Sequence, residues 1–253
     1  MFVDIHNHID YYPESEIPAI VERARKAGVG VILNNATTVE TIEMSLKLGK
    51  EYDIVKIALG VYPTHLIEMS DKEFNKVLKL IERNKDKIIA IGEVGLDLKE
   101  GRNIDLQRKR FEKFVELAMK LDKPIIVHSR KAEIEAIEVL EGKKAKKVIM
   151  HCFSGNFKLI ERIKKKGWWF TIPTNVVYSE HFQKMAKEIE LEKLFCETDS
   201  PFMHPFREKF NEPRFVVEGY KKVAEIRGLK LEEVEERIEE NFKGLFKIPK
   251  NVK

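Results

Sequence analysis

The chain has 253 residues, of which 43% are hydrophobic and 35% are charged, with a net charge of +4. This balance excludes an intrinsically disordered chain, and the length suits one large domain or two small ones. The longest uncharged stretches fall short of the roughly 18–20 residues of a membrane span, and no basic-then-apolar leader opens the chain, so we expect a cytoplasmic protein without membrane contact.

Eight short β-rich runs alternate with longer amphipathic stretches. We predict strands at Met1–Ile5, Val29–Leu33, Ile54–Leu59, Ile88–Ile91, Ile125–Val127, Lys147–Met150, Trp168–Ile172 and Leu194–Cys196. Between them, apolar residues recur every three or four positions, which indicates helices that bury one face. The clearest predicted helices are Asp71–Asn84, Asp105–Leu121, Ala132–Glu141, Glu180–Ile189 and, near the end of the chain, Leu231–Phe246.

This alternation predicts parallel strands joined by right-handed helical crossovers. At this length the usual solution is a single (β/α)8 TIM-type barrel, which we expect to span residues 1–253 as one domain. An open, doubly wound sheet is the competing interpretation. No Gly-x-Gly-x-x-Gly follows the first predicted strand, which weakens the nucleotide-binding form of that fold.

Imidazole and carboxylate side chains occur where several predicted strands end. His6 and His8 follow the first strand, and at positions i and i+2 they share one face. Alone, this pattern fits two unrelated histidines equally well. Similar residues follow the fourth, fifth, sixth and eighth strands, namely Glu93, His128, His151 and Asp199. Because barrel active sites form at the carboxyl ends of the strands, these six side chains predict one site.

Four imidazoles and two carboxylates are too many for one four-coordinate ion with an open position. They suit two ions roughly 3.5–4 Å apart, bridged by a carboxylate and a water. Glu93 is the natural bridge, since a carboxylate has two oxygens to share. Asp199 can accept a proton from the water that the ions activate. This chemistry predicts hydrolysis, but it does not name the bond that is cleaved.

Six motifs in this order resemble the TatD family of metal-dependent deoxyribonucleases, which are amidohydrolase-like barrels. The motifs are Asp4–Asp10, Gly92–Asp97, His128–Arg130, His151–Gly155, Glu197–Pro201 and Asn211–Pro213. The resemblance extends from residue 2 to about Phe246. It implies a nuclease that hydrolyses DNA phosphodiester bonds, often from the 3′ end.

By this resemblance, six residues are similar to the family's ligands for two divalent metal ions (Mg²⁺, Mn²⁺ or Zn²⁺): His6, His8, Glu93, His128, His151 and Asp199. Asp199 is also the implied base, which makes Asp199 and Glu93 the expected catalytic residues. The substrate that the resemblance implies is DNA, single-stranded or with frayed ends. We predict no obligate protein partner.

The sequence departs from the family pattern after the third strand. Tyr62 stands where the family has a histidine that contacts a substrate phosphate, and His65 lies one residue beyond the family's second histidine. We expect substrate contacts from Tyr62, His65, Arg130, His204 and Arg207. Two alternatives to a nuclease stay open: a metal-dependent amidohydrolase or esterase acting on a small molecule or an aminoacyl ester, and a binding module without catalysis.

Three further features have two interpretations each. The lysine-rich run Lys143–Lys147 could bind nucleic acid, but it precedes a strand and so favours a solvated face on the opposite side. Five aromatic residues could stack unpaired bases or pack locally: Tyr11, Tyr12, Tyr62, Phe202 and Phe206. Cys152 and Cys196 are interpreted as buried free thiols, since two cysteines cannot form a disulfide framework.

Overall fold

The computed structural model describes residues 1–247, so residues 248–253 of the predicted domain lie outside the described part. It has eight strands: β1 (Phe2–Asn7), β2 (Val29–Asn35), β3 (Val55–Leu59), β4 (Ala90–Gly95), β5 (Ile125–His128), β6 (Val148–Met150), β7 (Trp169–Pro173) and β8 (Leu194–Glu197). All eight predicted strands are therefore confirmed.

Within residues 1–247, ten α-helices alternate with or follow these strands: α1 (Ile17–Lys26), α2 (Val39–Glu51), α3 (Pro63–Glu68), α4 (Asp71–Arg83), α5 (Ile104–Lys120), α6 (Glu133–Gly142), α7 (Phe157–Lys165), α8 (Glu180–Glu188), α9 (Val216–Arg227) and α10 (Leu231–Leu245). The five helices predicted above are confirmed within two residues at each end. No described helix combines the length and the apolar character needed to cross a membrane.

The strands form one eight-stranded sheet in the order β1 to β8. The pairings of β1 with β2, of β3 through β6 in succession, and of β7 with β8 are parallel. Helices connect the successive strands, and the fold is a (β/α)8 barrel, as predicted. The competing open-sheet interpretation is wrong.

Several strands extend further than the hydrophobic pattern indicates. β1 continues to Asn7, β4 to Gly95 and β5 to His128. The apolar pattern stops at the first polar side chain, but the backbone ladder continues, because Gly95 still pairs with His128 in parallel register. His6, Glu93 and His128 consequently lie within strands rather than in the loops after them.

The backbone divides into two compact units. Unit 1 comprises Met1–Asn34, Leu48–Lys56 and Phe170–Leu245, and unit 2 comprises Asn35–Lys47, Ile57–Trp169 and the described residues from Phe246 onward. The core of unit 1 includes the fully buried side chains of Phe170, Phe195 and Phe242. In unit 2, Phe111, Phe114, Phe153 and Trp168 are buried in the same way. Each unit therefore has an aromatic core of its own.

The surface lysines and the cysteines test two of the sequence interpretations. Lys143 pairs with Glu112 and Glu116, and Lys147 pairs with Asp122, which supports a solvated, ion-paired face. Cys196 is buried as expected. The expectation that Cys152 is buried is wrong: its side chain is partly exposed, because it lies in a turn just after β6.

In unit 1, a buried tyrosine fastens helix α9 to strand β1. The hydroxyl of Tyr220 accepts a hydrogen bond from the Val3 amide at 3.0 Å and donates one to the Val3 carbonyl at 3.1 Å. The Tyr220 ring also meets Phe2 edge-on, with ring centroids 5.0 Å apart. Because both Val3 and Tyr220 are fully buried, water cannot replace these bonds.

We expect Tyr220→Phe to lower the free energy of unfolding by about 1–3 kcal/mol, because it leaves buried backbone groups without the hydroxyl. Urea denaturation monitored by circular dichroism measures the change. Tyr52→Phe, the same chemical change on a half-buried ring after α2, is the control and should alter stability by less than about 0.5 kcal/mol. Equal stability of the two variants would contradict the assigned role of Tyr220.

Candidate metal centre

In unit 1, three predicted ligands come together where β1 and β8 end. The Nε2 atoms of His6 and His8 are 3.2 Å apart. Asp199 Oδ1 lies 3.6 Å from His6 Nε2 and 3.5 Å from His8 Nε2. All three residues are buried. The i, i+2 spacing of the histidines therefore points both imidazoles toward one carboxylate, as the strand geometry predicts.

Backbone contacts between β1 and the segment after β8 position Asp199. The Asp199 amide donates to the His6 carbonyl at 2.9 Å. Asp4 accepts hydrogen bonds from the Thr198 amide at 2.8 Å and the Thr198 hydroxyl at 2.6 Å. Burial raises the pKa of Asp4 well above its ordinary value, although the bonds from Thr198 oppose this shift. Asp199 itself has a left-handed backbone with φ of 52°, which Asp tolerates better than most residues.

In unit 2, three further predicted ligands converge from β4, β5 and the end of β6. His128 Nδ1 lies 2.9 Å from Glu93 Oε1, and His151 Nε2 lies 3.9 Å from the same oxygen. Glu93 is 2% exposed and His151 is 5% exposed. A buried carboxylate within reach of two imidazoles is typical of a metal site, because a bare buried charge is costly.

Asp97 is a functional residue that the sequence analysis did not assign. Its Oδ2 atom lies 3.0 Å from His128 Nε2 and accepts a 2.6 Å hydrogen bond from the Tyr62 hydroxyl. Burial raises the pKa of Asp97, but the bonds from His128, Tyr62 and the Glu100 amide outweigh it and hold that pKa well below its usual value. The signal was present, since Asp97 ends the Gly92–Asp97 motif, but the sequence does not show what it contacts.

The Asp97 contact determines which nitrogen of His128 faces the ligands. Burial lowers the pKa of His128, and the bonds to Asp97 and Glu93 reverse that effect and raise it. With Nε2–H donated to Asp97, Nδ1 is left facing Glu93. A histidine that donates one N–H to a carboxylate and offers its other nitrogen is the usual support of a metal ligand.

A glycine is required where β4 passes β5. Gly95 has φ of 148°, and a Cβ placed there would overlap the His128 carbonyl oxygen. The Leu96 amide donates to that same carbonyl at 3.0 Å. The close approach therefore sets the position of the His128 backbone relative to the strand that carries Glu93.

The three side chains of unit 1, His6, His8 and Asp199, each place one ligand atom within 4.8 Å of one another. They combine imidazole nitrogen with carboxylate oxygen and are buried. Such mixed donor sets suit Zn²⁺ and related divalent transition metals. The residues present therefore fit a metal centre.

Three of the predicted substrate residues belong to unit 2. The Tyr62 hydroxyl is occupied by Asp97 and lies 3.0 Å from His128 Nε2. His65 Nδ1 lies 3.1 Å from the Thr37 carbonyl oxygen. Arg130 donates to the exposed Glu100 carboxylate at 2.6 Å. Of these three, Tyr62 directly contacts a predicted metal ligand.

The other two predicted substrate residues, His204 and Arg207, lie in the segment after β8. His204 is buried, and its Nδ1 accepts from the Phe206 amide at 3.1 Å and the Glu208 amide at 3.3 Å. Arg207 is exposed and lies over the Tyr178 ring at 4.5 Å. His204 therefore organises its loop, whereas Arg207 presents a charge to solvent.

A groove of about 960 Å³ lies among the start of α2, α3 and α4 of unit 2. His65 lines it together with Lys76, Leu80 and Arg83. The six predicted metal ligands do not line it. The lining residues are separate in the sequence and carry no motif, so no local sequence pattern predicts this groove.

The similarity to known proteins covers nearly the whole described chain. A family model described as TatD related DNase matches residues 3–247. The chain belongs to the TatD family. An uncharacterized metal-dependent hydrolase of Methanocaldococcus jannaschii is 36% identical over 97% of each chain. The human protein named deoxyribonuclease TATDN3 is 31% identical, over 96% of this chain and 94% of its own.

Solved structures of TatD proteins have the same fold. The TatD homologue YjjV of Escherichia coli superposes with a TM-score of 0.90 at 28% identity, over 97% of each chain. A TatD-family hydrolase of Entamoeba histolytica gives a TM-score of 0.88 at 21% identity. The resemblance inferred from the motifs is confirmed, and the chain belongs to a family of metal-dependent hydrolases.

We expect Asp97→Asn to weaken metal binding by about 10- to 100-fold, because the amide cannot accept the His128 N–H in the same way and the ligand loses its support. Isothermal titration with Zn²⁺ or Mn²⁺ measures the affinity. Glu100→Gln, which alters an exposed carboxylate of the same loop, is the control. Unchanged affinity in Asp97→Asn, with the fold intact by circular dichroism, would refute the role given to Asp97.

Proposed function

We propose that this protein is a dinuclear metal-dependent phosphodiesterase that degrades DNA from its 3′ end. The observation that carries the proposal is the convergence of buried imidazoles and carboxylates in two ligand groups of a TatD-family chain. The name of the human relative, deoxyribonuclease, supports DNA as the substrate. The single-domain organisation over residues 1–253 and a cytoplasmic location remain predictions.

Six residues would hold the ions: His6, His8, Glu93, His128, His151 and Asp199. Among them, Glu93 would be a ligand next to His128 and His151, since both imidazoles face its Oε1 atom. When bound, two divalent cations would lower the pKa of an attacking water and offset the negative charge that develops on the phosphoryl group.

The chain's own groups supply the proton transfer. Asp199 is the proposed general base: its carboxylate is buried, and the backbone bond to His6 holds it beside the histidine pair. It would accept the proton of the attacking water at a carboxylate oxygen. Asp97 and Tyr62 would keep His128 in one tautomer and orientation, which makes both of them positioning residues.

We assign the substrate contacts to polar groups that remain accessible to solvent. The Tyr62 hydroxyl is already engaged by Asp97, so we assign it to positioning His128 rather than to gripping a phosphate alone. Arg130 and Arg207 are charged and reach solvent, and guanidinium groups suit phosphate oxygens. Substrate contacts from His65 and His204 remain predictions; His204 is buried, and its Nδ1 accepts two amides of its own loop.

The decisive assay uses metal-stripped protein, Mg²⁺, Mn²⁺ or Zn²⁺ added back, and single-stranded DNA labelled at either end. We expect metal-dependent laddering from the 3′ end, and a fall in kcat of about 10²- to 10⁴-fold in Asp199→Asn, since the amide cannot accept the proton. Asp86→Asn, the same substitution at an exposed residue between α4 and β4, should retain activity.

Small phosphate esters, lactones and aminoacyl esters belong in the same assay. If the protein hydrolyses one of these compounds and leaves DNA uncleaved, the nuclease proposal is overturned and the amidohydrolase or esterase alternative is favoured. Absence of hydrolysis with every substrate, despite bound metal, would favour a binding module.

Salt dependence tests the phosphate contacts separately. Because each neutralised phosphate of a single strand contributes about −0.7 to the slope of log K against log salt, Arg130→Gln and Arg207→Gln should each reduce that slope by roughly 0.7. Anisotropy titrations at several salt concentrations measure it. Lys146→Gln, on the exposed lysine run, should leave the slope unchanged. A reduced slope in Lys146→Gln alone would place the DNA on the opposite face.

A further inference from the structure

Exposed aromatic side chains are confined to one part of unit 1. Within residues 1–247, the five aromatic residues that are strongly exposed are Tyr11 (43%), Tyr178 (38%), Phe202 (52%), Phe206 (54%) and Phe210 (60%). We call them the aromatic surface. Tyr11 follows β1, Tyr178 follows β7 and the three phenylalanines follow β8. All five therefore lie in segments that leave the carboxyl ends of strands, as the predicted ligands His8 and Asp199 do.

The aromatic surface begins at a predicted metal ligand. The Tyr11 ring stacks on His8, with centroids 5.1 Å apart and planes inclined by 26°. Phe202 meets Tyr11 edge-on at 6.3 Å and His8 at 6.4 Å. A planar group bound on Tyr11 or Phe202 would consequently lie one ring away from the metal centre.

Hydrogen bonds hold the loop that carries the phenylalanines. The buried side-chain amide of Asn211 donates to the carbonyls of Thr198 and Phe202 and to the Thr174 hydroxyl. The Thr174 hydroxyl donates to the Met203 carbonyl at 2.7 Å. A loop fixed from beneath presents its rings without a large loss of conformational entropy on binding.

His204 packs beneath the rings as well. Its ring lies 5.8 Å from Phe206 and 4.7 Å from Phe215, while its Nδ1 accepts two loop amides. The backbone of this loop is hydrogen-bonded and packed, so the exposure of Phe202, Phe206 and Phe210 is a consequence of the fold. Exposing these apolar rings to water costs free energy, and a ligand that covered them would offset that cost.

Cationic groups are interleaved with these rings. The Arg207 guanidinium lies 4.5 Å from the centroid of Tyr178, and the Lys209 ammonium lies 5.0 Å from the centroid of Phe210. Glu208 adds one carboxylate, 3.8 Å from His204 Nε2. Alternating aromatic and basic side chains are typical of surfaces that bind single-stranded nucleic acid, where rings stack on bases and cations neutralise phosphates.

We propose that Tyr11, Phe202, Phe206 and Phe210 form a base-stacking platform for a single-stranded nucleic acid, with Arg207 and Lys209 on its phosphates. This inference rests on the proposed phosphodiesterase function and adds that the protein recognises the unpaired bases of its substrate. Since the bases of a duplex are already stacked and paired, the platform selects unpaired ends. It recognises π-faces rather than base edges and is therefore tolerant of sequence.

The test measures binding apart from cleavage. Metal-loaded protein is titrated by fluorescence anisotropy with a short single-stranded phosphorothioate oligothymidylate and with an abasic oligonucleotide of equal length and linkage. The wild type should bind the base-containing strand more tightly, because the abasic strand offers phosphates without rings to stack.

The double variant Phe206→Ala/Phe210→Ala should bind the base-containing strand about 10-fold or more weakly, as expected for lost base stacking, and the abasic strand as the wild type does. Phe206→Tyr/Phe210→Tyr keeps both ring faces and should restore binding. Met119→Ala and Ile134→Ala are the controls, since they remove apolar side chains of similar exposure, 50% and 49%, from α5 and α6. A single-stranded RNA of equal length compares ribose with deoxyribose, a difference that leaves the base contacts of the platform unchanged.

The platform is overturned if the wild type binds base-containing and abasic strands with equal affinity, or if the double variant binds the base-containing strand as the wild type does. It is also overturned if the double variant has a lower mass in sedimentation, because the rings would then form a surface for a second copy of the chain. If the wild type cleaves DNA while any of these occurs, the phosphodiesterase proposal stands without the platform. Base-dependent binding without cleavage by any metal would retain the platform and overturn the phosphodiesterase.

Discussion

Burying carboxylates and imidazoles in a protein interior is the constraint on which this site depends. Such groups lose hydration, and they are tolerated only where partners or metals compensate. Here the compensation is local, since Asp97 is bonded by His128, Tyr62 and backbone amides, and Asp4 by Thr198. Each ligand group thus has supporting residues that orient it before an ion arrives.

The parallel strands determine which residues can meet at that site. In unit 1, β1 and β8 place His6, His8 and Asp199 together, and in unit 2, β4 to β6 place Glu93, His128 and His151 together. Residues more than a hundred positions apart become neighbours because parallel strands end at the same edge.

The exposed aromatic rings differ from the predicted ligands in their location in the fold and in their exposure to solvent. The predicted ligands lie within strands or directly after them and expose little surface, whereas Phe202, Phe206 and Phe210 project from a loop whose polar groups are bonded internally. A rigid backbone with exposed rings favours recognition of planar groups, and the proposed reaction is assigned to the buried candidate ligands. On this interpretation, the metal centre determines which bond is cleaved, and the loop after β8 determines which strand is bound.

The eight strands, the barrel and the six candidate ligands could be predicted from the amino-acid sequence, because hydrophobic periodicity is local and each candidate ligand directly follows or ends an apolar run. Three other features emerged from the folded structure: Asp97 supports His128, Tyr62 is engaged by Asp97, and Cys152 is partly exposed. The folded structure also revealed the shared location of the exposed rings. Hydrogen-bond direction, side-chain exposure and the meeting of distant loops depend on contacts between residues far apart in the chain, and no local pattern encodes them.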